Sequence, residues 1–316
     1  MIINSGISCG RFGNTFIRNL LTIVLSNKFN ISAIYEYGYT NEFNTLGLPT
    51  NPNQNDLLND IGSKWGEEIK KTIENTYKGS FNSRAKILQL LPLIDTFDKS
   101  QKGKIYKITI NNIKDVLWDK YPLNDKNIYI LAEGFYHTPE VIWHIATTFN
   151  TQNLLCKNIQ IANKYKERYQ NNEDIFIHIR AGDVFSTSLW WSEEKKIKPS
   201  LDYYIKIITS LQGKYKDIFL ASDNFDNEIC LSLVQKYNCI LYDKDPIDTI
   251  QFGSTCKYVI MSSGTYSMTI GVMSLYGTVW LSKEAGQIIV DNKIKYWHYN
   301  YYYILPETNK NKYKII

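Results

Sequence analysis

A group of charged and small residues follows a short apolar segment near the middle of the chain. His178 and Arg180 stand one residue apart, and Gly182 and Asp183 come shortly after them. The guanidinium of an arginine presents a planar fork of N–H donors, which suits a phosphate or a carboxylate. Gly182 allows the backbone to turn sharply or to approach a ligand closely, and Asp183 could orient Arg180. These residue types indicate either an anion-binding site or a structural Arg–Asp pair.

Two further groups of polar residues follow predicted strands later in the chain. One is Ser222 with Asp223, and the other is the segment 262–267, which reads SSGTYS and precedes an apolar helical pattern. Hydroxyl groups and the backbone N–H groups at the start of a helix are suited to binding anions. The segment 262–267 is therefore a second candidate anion-binding element.

The segment 6–14 near the N-terminus, which reads GISCGRFGN, contains three glycines. It lies between a short predicted strand and a helix predicted from Thr15, with Asn14 as its N-cap. Such a loop presents backbone N–H groups to an anion, and Arg11 adds a positive charge. Because the spacing matches neither the dinucleotide fingerprint nor the P-loop, a plain tight turn is the alternative.

The elements that must position the mid-chain residues form a regular pattern. The segment 175–179 is bulky and rich in β-branched residues, which is typical of a buried strand in a parallel sheet. Further strands are predicted at 218–221, 239–242, 258–261 and 278–281, with helices at 201–211, 225–237, 247–256 and 268–276. This alternation predicts a doubly wound parallel sheet whose strands end at one edge. That convergence favours a functional role for Arg180.

The first half alternates strands and helices less regularly. Strands are predicted at 2–3, 31–35, 105–110 and 128–132, and helices at 15–28, 64–77, 84–91 and 139–149. The segments 41–60 and 184–198 are predicted to be loops, and the aromatic tail 288–316 is interpreted as a cover for a core. A boundary within 150–157 gives domains of residues 1–153 and 154–316.

Composition narrows the class of protein. The 316 residues carry a net charge of +5 without a long basic run, so nucleic-acid binding is not expected. The five cysteines and four histidines show no metal-binding spacing, and Asp243-Lys244-Asp245 is interpreted as a solvated turn. The sequence has no signal peptide and no apolar run that could span a membrane. We therefore expect a soluble, cytoplasmic protein of a reducing compartment.

Three segments together resemble the motif set of the α-1,2- and related fucosyltransferases. They are GRFGN, HIRAGD and SSGTYSMTIG, in this order, and the resemblance covers most of the chain through motif order and spacing. It implies an α/β protein with the GT-B-like fold, in which two Rossmann-like domains face each other across a cleft. It also implies GDP-fucose as the donor substrate, no metal, and no other cofactor. The first domain would then be on the acceptor side, and the second would bind the nucleotide sugar.

The resemblance also implies roles for particular residues. Arg180 would contact the donor pyrophosphate, and Asn14 and Asp183 are candidates for positioning the acceptor hydroxyl. Asp223 could bind the ribose or the base, and Asp248 could shape the donor pocket. The predicted donor-binding set comprises the motif residues and the neighbouring strand ends: Arg11, Gly13, His178, Arg180, Ser222, Asp223, Asp248, Ser262, Ser263, Gly264, Thr265, Tyr266 and Ser267.

The predicted activity is that of a metal-independent, inverting glycosyltransferase that transfers L-fucose from GDP-fucose to a glycan hydroxyl. Charge that develops on the leaving pyrophosphate would be stabilised by Arg180 and by donors of the glycine-containing segments. Two alternatives remain open. One is a GT-B glycosyltransferase that uses another nucleotide sugar, such as GDP-mannose or a dTDP- or UDP-sugar. The other is a non-catalytic nucleotide- or glycan-binding protein of the same fold.

Overall fold

The computed structural model describes most of the second half of the chain and parts of the first. The described residues are 1–4, 12–35, 39–50, 71, 105–109, 111–120, 123–131, 136, 138–148, 154–182, 195–196, 199–282, 287–290, 293–296 and 313–316. The predicted helices 64–77 and 84–91 lie outside them, apart from residue 71, and so do the candidate residues Arg11 and Asp183. Among the described residues, no helix combines the length and the apolarity that crossing a membrane requires.

The chain divides into two compact units. The first comprises Met1–Asn44 with Leu48–Tyr136, and the second comprises Thr45–Gly47 with His137–Ile316. The second unit therefore begins earlier than the boundary predicted within 150–157, and a helix over Leu154–Ala162 begins inside that predicted boundary segment. The acceptor-side and donor-side assignments of the two halves stay predictions.

The first unit is built on a parallel sheet. Its elements in chain order are β1 (Ile2–Asn4), α1 (Phe12–Phe29), β2 (Ala33–Ile34), α2 (Thr40–Thr45), β3 (Ile105–Ile108), α3 (Ile113–Leu117) and β4 (Ile128–Leu131). The strands pair in the order β2–β1–β4–β3, and every pairing is parallel. Helix α1 is buried on all sides from Thr15 to Leu25, and β1 and β4 are buried along their whole length, which gives this unit its core.

Two local predictions in the first unit are wrong, for a common reason. Helix α1 begins at Phe12, so Asn14 lies in its first turn and is not its N-cap. Helix α2 occupies part of the segment 41–60, which is predicted to be a loop. The ring of Phe43 in α2 stacks on Phe12 at 5.9 Å and on Phe16 at 6.0 Å between centroids. This aromatic packing extends α1 by one turn and stabilises α2.

The second unit contains a larger parallel sheet and a small antiparallel one. Its elements are α4 (Pro139–Thr148), α5 (Leu154–Ala162), a 3-10 helix (Lys166–Arg168), β5 (Ile175–Ile179), β6 (Lys195–Lys196), α6 (Leu201–Ser210), β7 (Ile218–Ser222), α7 (Glu228–Tyr237), β8 (Ile240–Leu241), α8 (Pro246–Gly253), β9 (Tyr258–Ile260), α9 (Thr265–Met273), β10 (Thr278–Leu281), β11 (Gln287–Val290), β12 (Lys293–Tyr296) and β13 (Tyr313–Ile315). Strand β6 pairs with β11, so the prediction of a loop over 184–198 is wrong at Lys195–Lys196.

Six strands form the parallel sheet, in the order β13–β10–β9–β5–β7–β8. All five residues of β5 are buried, as expected for a strand that is covered on both faces. Local signals fix the helices: Ser200 caps α6 by accepting a hydrogen bond from the backbone N–H of Tyr203. Asp245 caps α8, and Pro246 occupies its first turn. The Asp243-Lys244-Asp245 segment is exposed, as predicted, and leads into α8 with Asp245 as the N-cap.

The predicted α/β class is confirmed, because both units have a parallel sheet. In the second unit, β5 pairs with β7 on one side and with β9 on the other. Parallel strands place their C-terminal ends at the same edge of a sheet. The segments that follow β5, β7 and β9 therefore lie next to one another.

Candidate functional site

Three sequence segments meet at one edge of the large sheet in the second unit. Ile179, the last residue of β5, pairs with Ser222 of β7, and Ile177 pairs with Ile260 of β9. The next residues are Arg180 after β5, Asp223 after β7 and Met261 after β9. The structure thus brings the HIRAGD and SSGTYS segments together, although about 80 residues of sequence separate them.

The Arg180 side chain is held by a carboxylate on the neighbouring strand end. Arg180 Nη1 lies 2.7 Å from Asp223 Oδ2, and the two side chains are 17% and 27% exposed. The other oxygen, Asp223 Oδ1, accepts hydrogen bonds from the backbone N–H groups of Ala181 at 2.7 Å and Gly182 at 2.9 Å. Asp223 therefore fixes both the arginine and the turn that follows it, which is the role the sequence suggests for Asp183.

Close approach of this carboxylate requires a glycine at position 182. A Cβ atom added to Gly182 would lie 2.7 Å from Asp223 Oδ2 and 3.0 Å from Asp223 Cγ. Such distances are shorter than van der Waals contact, so an alanine would displace the carboxylate or the turn. The sequence predicts that the backbone at Gly182 turns sharply or approaches a ligand closely. In the structure, this backbone lies close to the side chain of Asp223.

His178 joins the central strand to the beginning of helix α9. Its Nδ1 atom lies 2.5 Å from Ser267 Oγ, which also accepts a hydrogen bond from the backbone N–H of Ser262 at 3.3 Å. The His178 ring lies 5.0 Å from the Tyr266 ring, between centroids. Burial lowers the pKa of His178 to about 4, so the imidazole is neutral at physiological pH. A neutral, 5% exposed ring is suited to positioning the start of α9.

The start of α9 has the properties of an anion-binding site. Gly264 is its N-cap with φ of +101°, a conformation that favours glycine, and no side chain caps the helix. The first N–H groups of a helix have no acceptor within it, and its macrodipole is positive at this end. In the described part of the chain, no hydrogen-bond partner reaches Ser263 Oγ, although this atom is buried. An anionic oxygen would satisfy these donors.

The buried Asp248 lies in the first turn of α8, within a polar network whose other members are partly exposed. Its carboxylate accepts hydrogen bonds from Tyr165 at 3.0 Å and from Tyr242 at 2.9 Å, and it forms an ion pair with Lys164. Burial alone would raise the pKa of Asp248, but the hydrogen bonds from Lys164, Tyr242 and Tyr165 lower it below its ordinary value. The carboxylate is therefore ionised and occupied by protein groups. It shapes this region, and its binding to a ligand stays a prediction.

The first turns of α8 and α9 are also connected to each other. The Tyr266 hydroxyl donates a hydrogen bond of 2.6 Å to the carbonyl oxygen of Pro246. Ser222, by contrast, bonds locally, since its hydroxyl donates to the carbonyl oxygen of Asn224 at 3.0 Å. Tyr266 thus helps to place the candidate anion site, whereas Ser222 caps the turn after β7.

In the first unit, a buried arginine that belongs to none of the sequence motifs lies where the strands β1 and β4 end. Arg18 of α1 is 1% exposed and donates to Asn4 Oδ1 at 3.1 Å and to the carbonyl oxygen of Leu131 at 3.2 Å. Asn4 in turn donates to Asn19 Oδ1 at 2.7 Å. The only sequence signal is the pair Arg18-Asn19 inside an otherwise apolar helical pattern. Gly13 and Asn14 lie in the first turn of the same helix.

The described residues do not bring three or more histidine, cysteine, aspartate or glutamate side chains together in a cluster that could hold a metal ion. The predicted metal independence stays a prediction.

The sequence matches no family model and no curated protein. Among solved structures, POFUT1 in complex with GDP-fucose is 12% identical with a TM-score of 0.43, and the alignment covers 88% of this chain and 95% of that one. The E. coli heptosyltransferase WaaC with ADP-2-deoxy-2-fluoro heptose is 9% identical with a TM-score of 0.39, and the alignment covers 90% of this chain and 89% of that one. Similarity at this level carries no information about the substrate.

Proposed function

We propose that the protein is an inverting glycosyltransferase that binds the diphosphate of a nucleotide sugar at the edge of the second unit's large sheet. One observation carries this proposal: helix α9 starts without a side-chain cap, and the buried hydroxyl of Ser263 precedes that start. Both follow β9, which pairs with β5, the strand that Arg180 follows. A helix N-terminus, a hydroxyl and a fixed guanidinium are together suited to a diphosphate.

Transfer of a sugar from such a donor breaks the bond between the anomeric carbon and the diphosphate oxygen, and both electrons leave with the diphosphate. The sugar passes through a transition state with oxocarbenium character. Arg180, Ser263 and the N–H groups at the start of α9 would stabilise the growing negative charge. One donor placed in advance in this way contributes about 3 kcal/mol, or a hundredfold or more in rate.

An acceptor hydroxyl attacks the anomeric carbon from the opposite side, which inverts its configuration. The proton of that hydroxyl must leave, and a carboxylate such as Asp183 is chemically able to accept it. An amide such as that of Asn14 is able to orient the hydroxyl but not to accept the proton. Asp183 lies outside the described residues, and both of these roles stay predictions.

The sugar and the nucleotide are proposed from the motif resemblance. The HIRAGD and SSGTYS segments are similar to those of fucosyltransferases that use GDP-fucose, so GDP is the nucleotide to test first. Calorimetry with GDP, UDP, dTDP and ADP, each in excess chelator, tests both the base and the need for a metal. Binding of UDP or dTDP without binding of GDP would contradict fucose as the transferred sugar.

The site itself is tested with Arg180→Ala and Arg180→Lys. Loss of a hydrogen bond to a charged group should weaken GDP binding about tenfold or more in Arg180→Ala, and Arg180→Lys should recover part of it because it keeps only the charge. Lys257→Ala is the matched control, since Lys257 precedes β9 and lies at the opposite edge of the same sheet. Equal GDP affinity in Arg180→Ala and Lys257→Ala would contradict the site.

A further inference from the structure

We infer that Asp223 is a positioning residue, which acts on the ligand through Arg180 and through the turn at residues 181–182. This inference rests on the proposed function, because it assigns Arg180 an anion to bind. It also replaces direct contact between Asp223 and a ribose or base, which the sequence suggests. The assignment comes from how the two oxygens of the Asp223 carboxylate are used.

Both oxygens of Asp223 are occupied by the neighbouring strand end. Oδ2 binds the Arg180 guanidinium, and Oδ1 accepts the N–H groups of Ala181 and Gly182. Strand register explains the meeting, because β5 and β7 are parallel and Asp223 follows the position that pairs with Ile179. Three of the roughly four acceptor positions of the carboxylate are thus used within the protein, so at most one of them is available to a ligand hydroxyl.

Charge also argues for a positioning role. A carboxylate repels an anionic ligand, so Asp223 opposes diphosphate binding through space. Beside Arg180, it is able to offset this repulsion by holding the guanidinium in a single orientation. An unheld arginine has a long, flexible side chain and loses conformational entropy when it binds. We therefore expect Asp223 to improve anion binding through the orientation of Arg180, and only in the presence of Arg180.

The variant Asp223→Asn separates the two kinds of contact. The asparagine oxygen is still able to accept the N–H groups of Ala181 and Gly182, but its amide nitrogen is unable to accept a hydrogen bond from Arg180. The turn should therefore remain, while the ion pair is lost. In Asp223→Ala, both are lost.

Calorimetry with two probes, GDP and inorganic pyrophosphate, distinguishes positioning from ribose contact. We expect Asp223→Asn to weaken both probes by the same factor, about tenfold, since the Arg180 side chain is no longer held and must lose conformational entropy when it binds. A variant that loses GDP affinity but binds pyrophosphate normally would overturn the inference in favour of direct contact with the nucleoside. Tighter pyrophosphate binding would overturn it in favour of simple repulsion.

A double-mutant cycle tests whether Asp223 acts through Arg180. In an Arg180→Ala background, Asp223→Asn should no longer weaken either probe, because the residue that it positions is absent. Weakening by the same factor in both backgrounds would overturn the inference. Melting temperatures of all variants check that each comparison is made between folded proteins.

Hydrogen exchange measures the contact without any ligand. The amides of Ala181 and Gly182 should exchange faster in Asp223→Ala than in the wild-type protein, and they should stay protected in Asp223→Asn. Unchanged exchange in Asp223→Ala would overturn the contact itself. Failure of the proposed function gives a different result: the wild-type protein would bind neither GDP nor pyrophosphate, and the ligand-positioning role of Asp223 would fall with it.

Discussion

Acidification from neutral pH to about pH 5 should destabilise the second unit through His178. This imidazole is buried against Ser267 and Tyr266 and is neutral in the folded protein. Burial lowers its pKa from 6.5 to about 4, so the unfolded chain binds a proton at a higher pH than the folded one does. The stabilisation is therefore present above pH 6.5 and is lost as the pH falls towards 4.

The size of the effect follows from the difference between the two pKa values. A difference of about 2.5 units, at about 1.4 kcal/mol per unit, corresponds to roughly 3 kcal/mol of unfolding free energy over the whole range. At about pH 5, where the unfolded histidine is almost fully protonated, about 2 kcal/mol of this should already be lost.

Urea denaturation at neutral pH and at about pH 5, followed by circular dichroism, measures this loss. The variant His178→Asn removes the titrating group but keeps a polar side chain beside Ser267, so its stability should change by about 2 kcal/mol less between the two conditions. The variant His144→Asn alters the other buried histidine of the same unit and keeps His178, so it measures separately what His144 contributes to the loss.

The reasoning would be refuted if His178→Asn lost as much stability on acidification as the wild-type protein does. In that case the folded and the unfolded protein would bind a proton at His178 with nearly the same pKa. NMR of the folded protein would then show His178 titrating near its ordinary pKa.

Three further predictions concern packing, charge and reactivity in the second unit. Gly253→Ala should lower the urea midpoint by an amount equivalent to about 1–3 kcal/mol, because its Cβ would lie 2.6 Å from the Phe176 ring; an unchanged midpoint would contradict the packing. Asp248→Asn should cost about 1–3 kcal/mol at neutral pH and less at about pH 3, because there the unfolded wild-type chain binds a proton at this aspartate more readily than the folded protein, in which the pKa of Asp248 is lowered. Denaturation curves that show the same cost at both pH values would refute this. Burial raises the pKa of Cys256 to about 12, so iodoacetamide at neutral pH should label its peptide only in the unfolded protein; labelling of the native protein would argue against it.

The regular part of the fold could be predicted because its signals are local. Strand β5 has the predicted bounds, since a continuous β-branched segment is buried on both faces. Helix α7 ends at the predicted Tyr237, after which Asn238 adopts a left-handed conformation. Helix α2 could not be predicted, because Phe43 packs on rings that are distant in sequence.

The sequence predicts where the candidate site lies, but not which side chains pair within it. Strand alternation places Arg180 and the segment 262–267 at one sheet edge, and the structure brings them there. Among the described residues, Arg180 pairs with Asp223, because strand pairing, which the sequence does not specify, decides which strand ends are neighbours. The buried Arg18 was missed for the same reason, since its acceptors Asn4 and Leu131 lie on other elements.

The position of β5 between β7 and β9 also sets an order of events during protein synthesis. Ile175 pairs with Ile218 on one side and with Tyr258 on the other, and both partners are translated later than β5. In a nascent chain, Arg180 and Asp223 are therefore synthesised before Ser263 and helix α9. An incomplete chain that ends before α9 would carry the cation and its carboxylate but not the helix start. Such an incomplete chain would therefore not compete with complete protein molecules for the nucleotide sugar.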